Sequence, residues 1–339
     1  MLKRGIAVLF TVVIGAGVLS GSPGQQAGAT TAPAATTTAA TFPGSNGRIA
    51  YVKEWTVSGT PGPDARADIY TVRPDGTGNQ RLTFSRNSQN PIWSPTGGRI
   101  AFERPGGVWV MKGDGTGKQR LTDGRLVGWM PVGGRILVAR GLGQDGVDPT
   151  WWLHRIATGD EKEMPIDLPL VAGLDEPYDD YSEWSYASSP TLSPDGEVLA
   201  LMLWRPDSSD GYSYDFGSIF TVGLDGTGLT RLPKYSYSWM VSGWAPGGGQ
   251  LLYWTEEPRG YCASSVRSIR LDGSPGSVNI EKRCAQSGPA WSPDGRRVVF
   301  TSGRSNSLQI ASKDGALNRN VLRQTEGVYR TQPDWRPVP

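Results

Sequence analysis

The chain has 339 residues, of which 37% are apolar and 19% are charged, and its formal net charge is +2. It contains 46 Gly, 26 Pro and 13 Trp. Disordered chains are poor in large apolar side chains, so this composition excludes general disorder and predicts an ordered, turn-rich, all-β protein. A net charge close to zero also disfavours nucleic acid or anionic lipid as the main partner.

The N-terminal segment has the features of a signal peptide. Lys3 and Arg4 precede an apolar run over residues 5–20, and Ala27-Gly28-Ala29 forms an A-x-A cleavage site. The alternative is an uncleaved membrane anchor, but the run is shorter than the about 20 residues that a spanning helix needs. We therefore expect removal of residues 1–29 near Ala29 and a secreted or extracytoplasmic mature chain, in the cell envelope or periplasm.

Residues 30–43 are rich in Thr and Ala and show no alternation of polar and apolar residues, which predicts a flexible linker. Export also gives meaning to the two cysteines, because thiols in an oxidising compartment usually pair. We expect a disulfide between Cys262 and Cys284, with two free thiols as the alternative. Such a bridge would close a loop of about 20 residues and contribute roughly 3 kcal/mol in the entropy model.

A repeated unit occupies the rest of the chain. A Pro-X-Trp-X-Pro motif or a looser copy of it lies at residues 91–95, 128–131, 190–194, 243–246, 289–293 and 333–337. Apolar runs begin at Ile49, Ile100, Ile136, Val198, Leu251 and Val298. A third element has an aliphatic residue six positions before a turn, namely Ile69, Val108, Leu153, Ile219, Val266 and Leu308. The turns start at Asp75, Asp114, Asp225, Asp272 and Asp314, with Gly159-Asp160 as a reversed copy. Asp-Gly between β-runs predicts hairpins, and four short strands every 40–60 residues or so are typical of propeller blades.

The number of copies predicts how the ring closes. Apolar runs of the second type begin at Ile49, but the first full copy of the Trp motif comes later, at Trp93. The opening blade therefore lacks its own first strand, and the copy at residues 333–337 can supply it. We predict a single six-bladed β-propeller over residues 44–339, closed by pairing of the C-terminal strand with the N-terminal blade. Closure removes the open sheet edges that otherwise invite aggregation.

The repeat resembles that of a known family. Trp-Ser-Pro-Asp-Gly at residues 291–295, Asp-Gly-Thr-Gly at 75–78 and Arg-Leu-Thr at 81–83 are similar to the WD-like β-propeller repeat of TolB-type proteins. The resemblance covers the propeller domain only, without the N-terminal α/β domain of TolB. TolB is a periplasmic partner of envelope lipoprotein and pore complexes, so the resemblance implies an exported binding protein.

The long loops are expected at one end of the ring. They are predicted at residues 53–67, 140–150, 168–187, 204–217, 234–241 and 255–265, where the strand order places them all on one face. Long loops gathered on a rigid scaffold are a usual place for binding. Those over the fourth and fifth blades are acidic and aromatic, which predicts a ligand-binding surface. Its candidate residues are Asp175, Glu176, Tyr178, Asp179, Asp180, Tyr181, Trp184, Tyr212, Tyr214, Tyr237, Trp239, Glu256 and Glu257.

Other interpretations of these residues stay open. The aromatic residues could instead pack the loops onto the propeller, and the carboxylates at 175, 176, 179 and 180 could supply oxygen ligands to Ca²⁺. Their spacing does not match the calcium loop Asp-x-Asp-x-Asp-Gly. His154, the only His, is expected to fill an aromatic position equivalent to Tyr70, Trp109 and Phe220. The repeated tryptophans are expected to pack between blades; they are Trp93, Trp129, Trp244, Trp291 and Trp335.

We therefore expect a non-enzymatic binding or scaffold module that recognises an envelope or extracellular protein, peptide or glycan. The alternative is a carbohydrate-active enzyme, a glycosidase or lyase that uses Asp/Glu pairs on the same face. A third reading is a structural envelope component without a discrete ligand. We expect no cofactor, no catalytic or metal site, no nucleic-acid partner, no membrane span in the mature chain, and a monomer.

Overall fold

The computed structural model describes residues 41–55, 65–142, 148–168, 186–207, 214–236, 239–255, 265–281, 285–302 and 306–339. These residues form twenty-four β-strands, and none of them lies in a helix. The strands are β1 Ser45–Trp55, β2 Arg66–Val72, β3 Gln80–Arg81, β4 Gln89–Trp93, β5 Arg99–Arg104, β6 Gly107–Lys112, β7 Gln119–Thr122, β8 Arg125–Trp129, β9 Arg135–Arg140, β10 Thr150–Arg155, β11 Glu161–Met164, β12 Tyr186–Leu192, β13 Val198–Asp207, β14 Tyr214–Gly223, β15 Thr230–Ser236, β16 Trp239–Trp244, β17 Gln250–Thr255, β18 Ser265–Arg270, β19 Pro275–Ile280, β20 Ala285–Trp291, β21 Arg297–Ser302, β22 Ser307–Ser312, β23 Asn318–Leu322 and β24 Val328–Val338.

The strands form six antiparallel sheets of four, which are the blades of a propeller. Blade 1 has the order β24-β1-β2-β3, and blades 2 to 6 take β4–β7, β8–β11, β12–β15, β16–β19 and β20–β23 in turn. The first strand of each blade contacts the first strands of both neighbouring blades. The predicted all-β, six-bladed architecture is confirmed.

The C-terminal strand closes the ring as predicted. Strand β24 pairs with β1 along its whole length, from Ser45 opposite Val338 to Trp55 opposite Val328. The carboxylate of Asp334 then accepts a hydrogen bond from the backbone N–H of Trp93, 2.6 Å away, which ties blade 1 to blade 2. The closing strand is thus held on both sides.

The repeated tryptophans pack between blades, as expected. All five are at most 2% exposed. Trp335 packs with blade 6 residues such as Val299 and Leu308, and the others pack against the blade that precedes them. The indole N–H groups of Trp129 and Trp244 donate to backbone carbonyls of the preceding blade. Burying a side chain of this size is worth a few kcal/mol, so the blade interfaces carry much of the stability.

The expected linker meets the ring before its predicted end. Thr41 and Phe42 are only 2% and 5% exposed. The Thr41 hydroxyl donates to the carbonyl of Trp291 in blade 6, and Phe42 packs with Ile92 and Trp129 of blades 2 and 3. The aromatic side chain of Phe42 buries enough apolar area to hold this segment on the ring, whereas the small side chains of Thr and Ala do not. Residues 41 and 42 therefore form an anchor across the end of the ring.

The Asp-Gly turns have the expected hairpin chemistry. Asp75 accepts hydrogen bonds from the backbone N–H and the hydroxyl of Thr77, and Gly76 has φ +91°. The same bonds join Asp114 to Thr116. These bonds favour the charged carboxylate and lower the pKa of each Asp.

One expected position is wrong. Trp152, and not His154, occupies the aromatic position of blade 3, because Trp152 lies opposite Val138 as Trp109 lies opposite Phe102. His154 lies opposite Ile136, two residues further along β10. Arg155 is equivalent to Lys112, but Gly159 comes four residues after Arg155 whereas Asp114 comes two residues after Lys112. Counting back from the turn therefore shifts the alignment.

The connections divide between two faces. The turns after first and third strands lie on one face, here called the turn face. The connections after second strands and between blades lie on the other, the wide face. The loop predicted at 234–241 is wrong in part, because β15 continues to Ser236 and β16 begins at Trp239. Ser236 and Tyr235 pair with Gly217 and Ser218 of β14, so the hairpin is longer than the sequence indicated.

Candidate functional site on the wide face

Most of the candidate residues lie outside the described part of the chain. They are Asp175, Glu176, Tyr178, Asp179, Asp180, Tyr181, Trp184, Tyr212, Tyr237, Glu256 and Glu257, and the same is true of Cys262 and Cys284. Tyr214 begins β14 and Trp239 begins β16, but only their backbone is described. The flanking strand ends Asp207, Ser236 and Thr255 all lie on the wide face. The acidic-aromatic surface and the disulfide therefore stay predictions.

The described part of the wide face carries a repeated cation–aromatic pair. The Lys53 ammonium lies 5.4 Å from the ring centre of Tyr70 in blade 1. The guanidinium of Arg104 is 4.7 Å from the ring of Trp109 in blade 2, and that of Arg140 is 4.6 Å from Trp152 in blade 3. All six residues are partly exposed. Such contacts hold a long basic side chain in one place and keep its charge accessible.

Blade 1 adds a second contact of this kind. The guanidinium of Arg81 lies between the rings of Trp55 and Phe84, 5.3 Å and 4.6 Å from their centres. It is paired with Asp68, whose buried carboxylate also accepts the hydroxyl of Thr83 at 2.8 Å. Phe84 is 68% exposed. An exposed aromatic next to a fixed arginine is a surface suited to protein contacts.

The carboxylates of blades 2 and 3 are occupied by structural partners. Glu103, 3% exposed, pairs with Arg125 at 3.0 Å and accepts the backbone N–H of Leu126 at 2.8 Å. It also accepts the side-chain amide of Asn90. Because Leu126 belongs to the next blade, Glu103 joins blades 2 and 3.

In blade 3, Glu161 binds Arg140 at 2.7 Å and the Thr122 hydroxyl at 2.5 Å, and it lies 3.3 Å from Nδ1 of His154. Burial acts to raise the pKa of Glu161, but the bonds from Thr122 and Arg140 prevail and lower it. His154 is 3% exposed. A buried His against an arginine-bound carboxylate is a structural arrangement, and it gives no support to an acid–base pair at this place.

Sequence reasoning missed these basic residues. Lys53, Arg104 and Arg140 are separated by 51 and 36 residues, and each has its aromatic partner on the next strand. The available signal was their shared position, two residues after Tyr51, Phe102 and Val138 in the second strand of each blade. The described wide face of blades 1 to 3 is thus basic and aromatic, in contrast to the acidic loops predicted over blades 4 and 5.

No group of three or more His, Cys, Asp or Glu among the described residues could hold a metal ion. No helix in the described ranges is long and apolar enough to cross a membrane.

Comparison with known proteins places the fold. No protein-family model matches the chain. It is 18% identical to the crystal structure of TolB from Acinetobacter baumannii, with a TM-score of 0.63 over 86% of this chain and 67% of that one. For a putative TolB from Agrobacterium tumefaciens the identity is 14% and the TM-score 0.50, over 86% and 99% of the two chains. The molecule therefore has the fold of a TolB-type six-bladed β-propeller, and the resemblance found in the repeat is confirmed at this level.

A sequence relative of the chain has no assigned activity. The chain is 27% identical over 150 residues to the uncharacterized protein Atu1656 of Agrobacterium fabrum. The match covers 44% of this chain and 45% of the relative, so the chain spans under half the length of that protein.

Proposed function

We propose that this propeller is an extracytoplasmic, non-enzymatic binding module that recognises an envelope or extracellular protein through its wide face. The observation that carries this proposal is the ordered cation–aromatic surface of blades 1 to 3, with Arg81 held between Trp55 and Phe84. Arginine and aromatic residues are the types enriched in the energetic centres of interfaces. Partly exposed, preordered side chains lose little entropy on binding.

The predicted acidic-aromatic loops would extend this surface over blades 4 and 5. A face with basic residues on one half and acidic residues on the other can fix the orientation of a partner that carries both charges. Peptide and glycan ligands would use the same aromatic side chains. The predicted signal peptide and the TolB-type fold support an extracytoplasmic location.

The chain provides a matched pair of variants for the test. Phe84→Ala removes an exposed ring from the wide face, and Val132→Ala shortens a side chain that is 94% exposed on the turn face. The mature protein would be immobilised through its C-terminus, because Val338 lies at the turn-face end of β24. Partners captured from envelope extract would be identified, and the dissociation constant of each purified partner would be measured with both variants and with Trp184→Ala.

We expect the dissociation constant to rise at least tenfold or so for Phe84→Ala, since a central aromatic contributes about 2 kcal/mol or more. Val132→Ala should bind like the wild type. Trp184→Ala tests whether the predicted loops contribute. Equal binding by all variants, or an equal loss for Val132→Ala, would refute recognition through the wide face.

A further inference from the structure

Arg330 is a buried cation on the wide face between blades 1 and 6. It lies on β24 opposite Lys53 of β1, so the two side chains project from the same side of the sheet. Arg330 is only 6% exposed. Its guanidinium donates to the carbonyl of Asn306 at 2.8 Å and to the hydroxyl of Thr325 at 3.2 Å, which are both neutral groups. Nε has no hydrogen-bond partner among the described residues.

No described carboxylate balances this charge. Asp68 lies opposite Lys53 on β2, but its carboxylate pairs with Arg81 at 2.5 Å. Glu54 projects from the opposite side of β1, where it accepts the hydroxyl of Thr331. Burial raises the pKa of Tyr51 to about 12, although Arg330 acts to lower it, so this neighbouring phenol stays neutral. A buried charge without a counter-charge costs several kcal/mol, so arrangements of this kind usually have an anionic partner.

Lys53 increases the excess of positive charge. Burial and the like charges of Arg330 and Arg81 lower the pKa of Lys53. Lys53 and Arg81 therefore share one described carboxylate, that of Asp68, and Arg330 adds a third cation on the other side of Lys53. Both Lys53 and Arg81 are partly exposed, which gives solvent access to one side of the cluster.

The equivalent positions in the next two blades show that this arrangement is particular to blade 1. Arg104 occupies the place of Lys53 in blade 2, and the residue beside it is Ser88, which directly precedes β4 and accepts a hydrogen bond from Arg104 at 3.1 Å. In blade 3 the residue beside Arg140 is Gly124, which directly precedes β8. Blades 2 and 3 thus pair the cation with a neutral residue, whereas blade 1 pairs it with a second cation.

We propose that Lys53 and Arg330 form a binding site for an oxyanion, specifically a phosphate or sulfate group. The planar guanidinium presents donors in a geometry that matches such groups, and the ammonium supplies a second, adjustable donor. The oxyanion would supply the charge that the described residues lack. It could be a free ion or a group carried by a larger ligand, and both share this chemistry.

The test measures binding and melting temperature of the mature protein with sodium phosphate, sodium sulfate and a phosphate monoester such as glycerol 2-phosphate. Sodium chloride at equal ionic strength controls for screening. Lys53→Met removes one cation at a partly exposed place, so this variant is expected to fold even if Arg330→Gln does not. Lys112→Met removes an exposed ammonium from the turn-face end of β6 and is the matched control.

We expect a saturable rise in melting temperature with phosphate or sulfate that chloride does not produce. Lys53→Met should raise the dissociation constant at least about tenfold, because it removes a charged hydrogen bond, and Lys112→Met should leave it unchanged. Tighter binding of the monoester would identify a group on a larger ligand, and tighter binding of the inorganic ion a free anion. An equal response to chloride, or unchanged binding by Lys53→Met, would overturn the proposal.

Discussion

Replacing Asp334 with Asn is expected to change how the stability of the ring depends on pH. Burial raises the pKa of Asp334 to about 7, although hydrogen bonds from the backbone N–H groups of Trp93 and Trp335 act to lower it. The carboxyl lies at the seam between the closing strand and blade 2. Its protonation is therefore linked directly to the closure of the ring.

The sign and size of the effect follow from linkage. The folded pKa of about 7 lies above the ordinary value of 3.8. Between these values the folded chain keeps a proton that the unfolded chain has lost, so the free energy of unfolding falls as the pH rises. Each pH unit is worth about 1.4 kcal/mol, which gives a loss of about 4 kcal/mol between pH 4 and pH 7 and no further change outside that window.

Asn has no charge to bury, and its carbonyl can still accept the N–H of Trp93. We expect Asp334→Asn to gain stability relative to the wild type as the pH rises from 4 to 7. The free energy of unfolding would be measured by urea titration with tryptophan fluorescence at several pH values. Other groups titrate as well, so the quantity of interest is the difference between the two proteins at each pH.

Asp314→Asn is a control of opposite sign. Hydrogen bonds from Ser312 and from the N–H of Ala316 lower the pKa of Asp314. Its contribution is therefore present above the unfolded pKa and is lost as the pH falls through the folded pKa. A difference between Asp334→Asn and wild type that stays constant from pH 4 to pH 8 would refute the reasoning about the buried carboxyl.

Further predictions concern packing and closure. Gly226→Ala should lower the melting temperature clearly more than Gly228→Ala does. Both glycines have positive φ, but a Cβ at Gly226 would meet the Pro165 carbonyl oxygen, whereas a Cβ at Gly228 would meet nothing within 4 Å; similar melting temperatures would contradict this. Trp335→Ala should lower the free energy of unfolding by about 3–5 kcal/mol, measured in urea, since the side chain is 1% exposed between blades 1 and 6. Phe42→Ala should cost about 3 kcal/mol on the same assay if the anchor of residues 41 and 42 matters in solution; an effect below about 0.5 kcal/mol would show that it does not. Deletion of residues 333–339 should abolish cooperative unfolding, because it removes half of the pairing with β1 together with the buried Trp335, and a sharp transition at the wild-type temperature would be the contrary result.

The repeated motif made the fold accessible from the sequence. Six copies of one pattern, with the last copy near residue 335 and the first blade lacking its own, determine both the blade number and the closure. The shift in blade 3 arose because Gly159 comes four residues after Arg155, whereas the Asp of the blade 2 turn, Asp114, comes two residues after the equivalent Lys112. The number of residues in a turn varies from blade to blade, and the repeat pattern of apolar residues does not predict it.

The wide-face chemistry was harder to predict. Lys53 on β1 contacts Tyr70 on the neighbouring strand β2. It lies opposite Arg330 only because the C-terminal strand β24 pairs with β1. Contacts of this kind depend on register between segments that are distant in sequence. Composition drew attention to the dense acidic and aromatic stretch around residue 180, whereas the basic residues of blades 1 to 3 are dispersed one per blade.

The pairing of β24 with β1 also has a mechanical consequence. Ser45 and Val338 are paired, so the start of β1 and the end of β24 lie side by side at one end of the ladder that closes the ring. Antiparallel hydrogen bonds are perpendicular to the strands, so a force that pulls the two ends apart loads these bonds one pair after another. The ring should therefore open like a zipper under low tension between its ends, even though heat or urea must disrupt a whole blade interface.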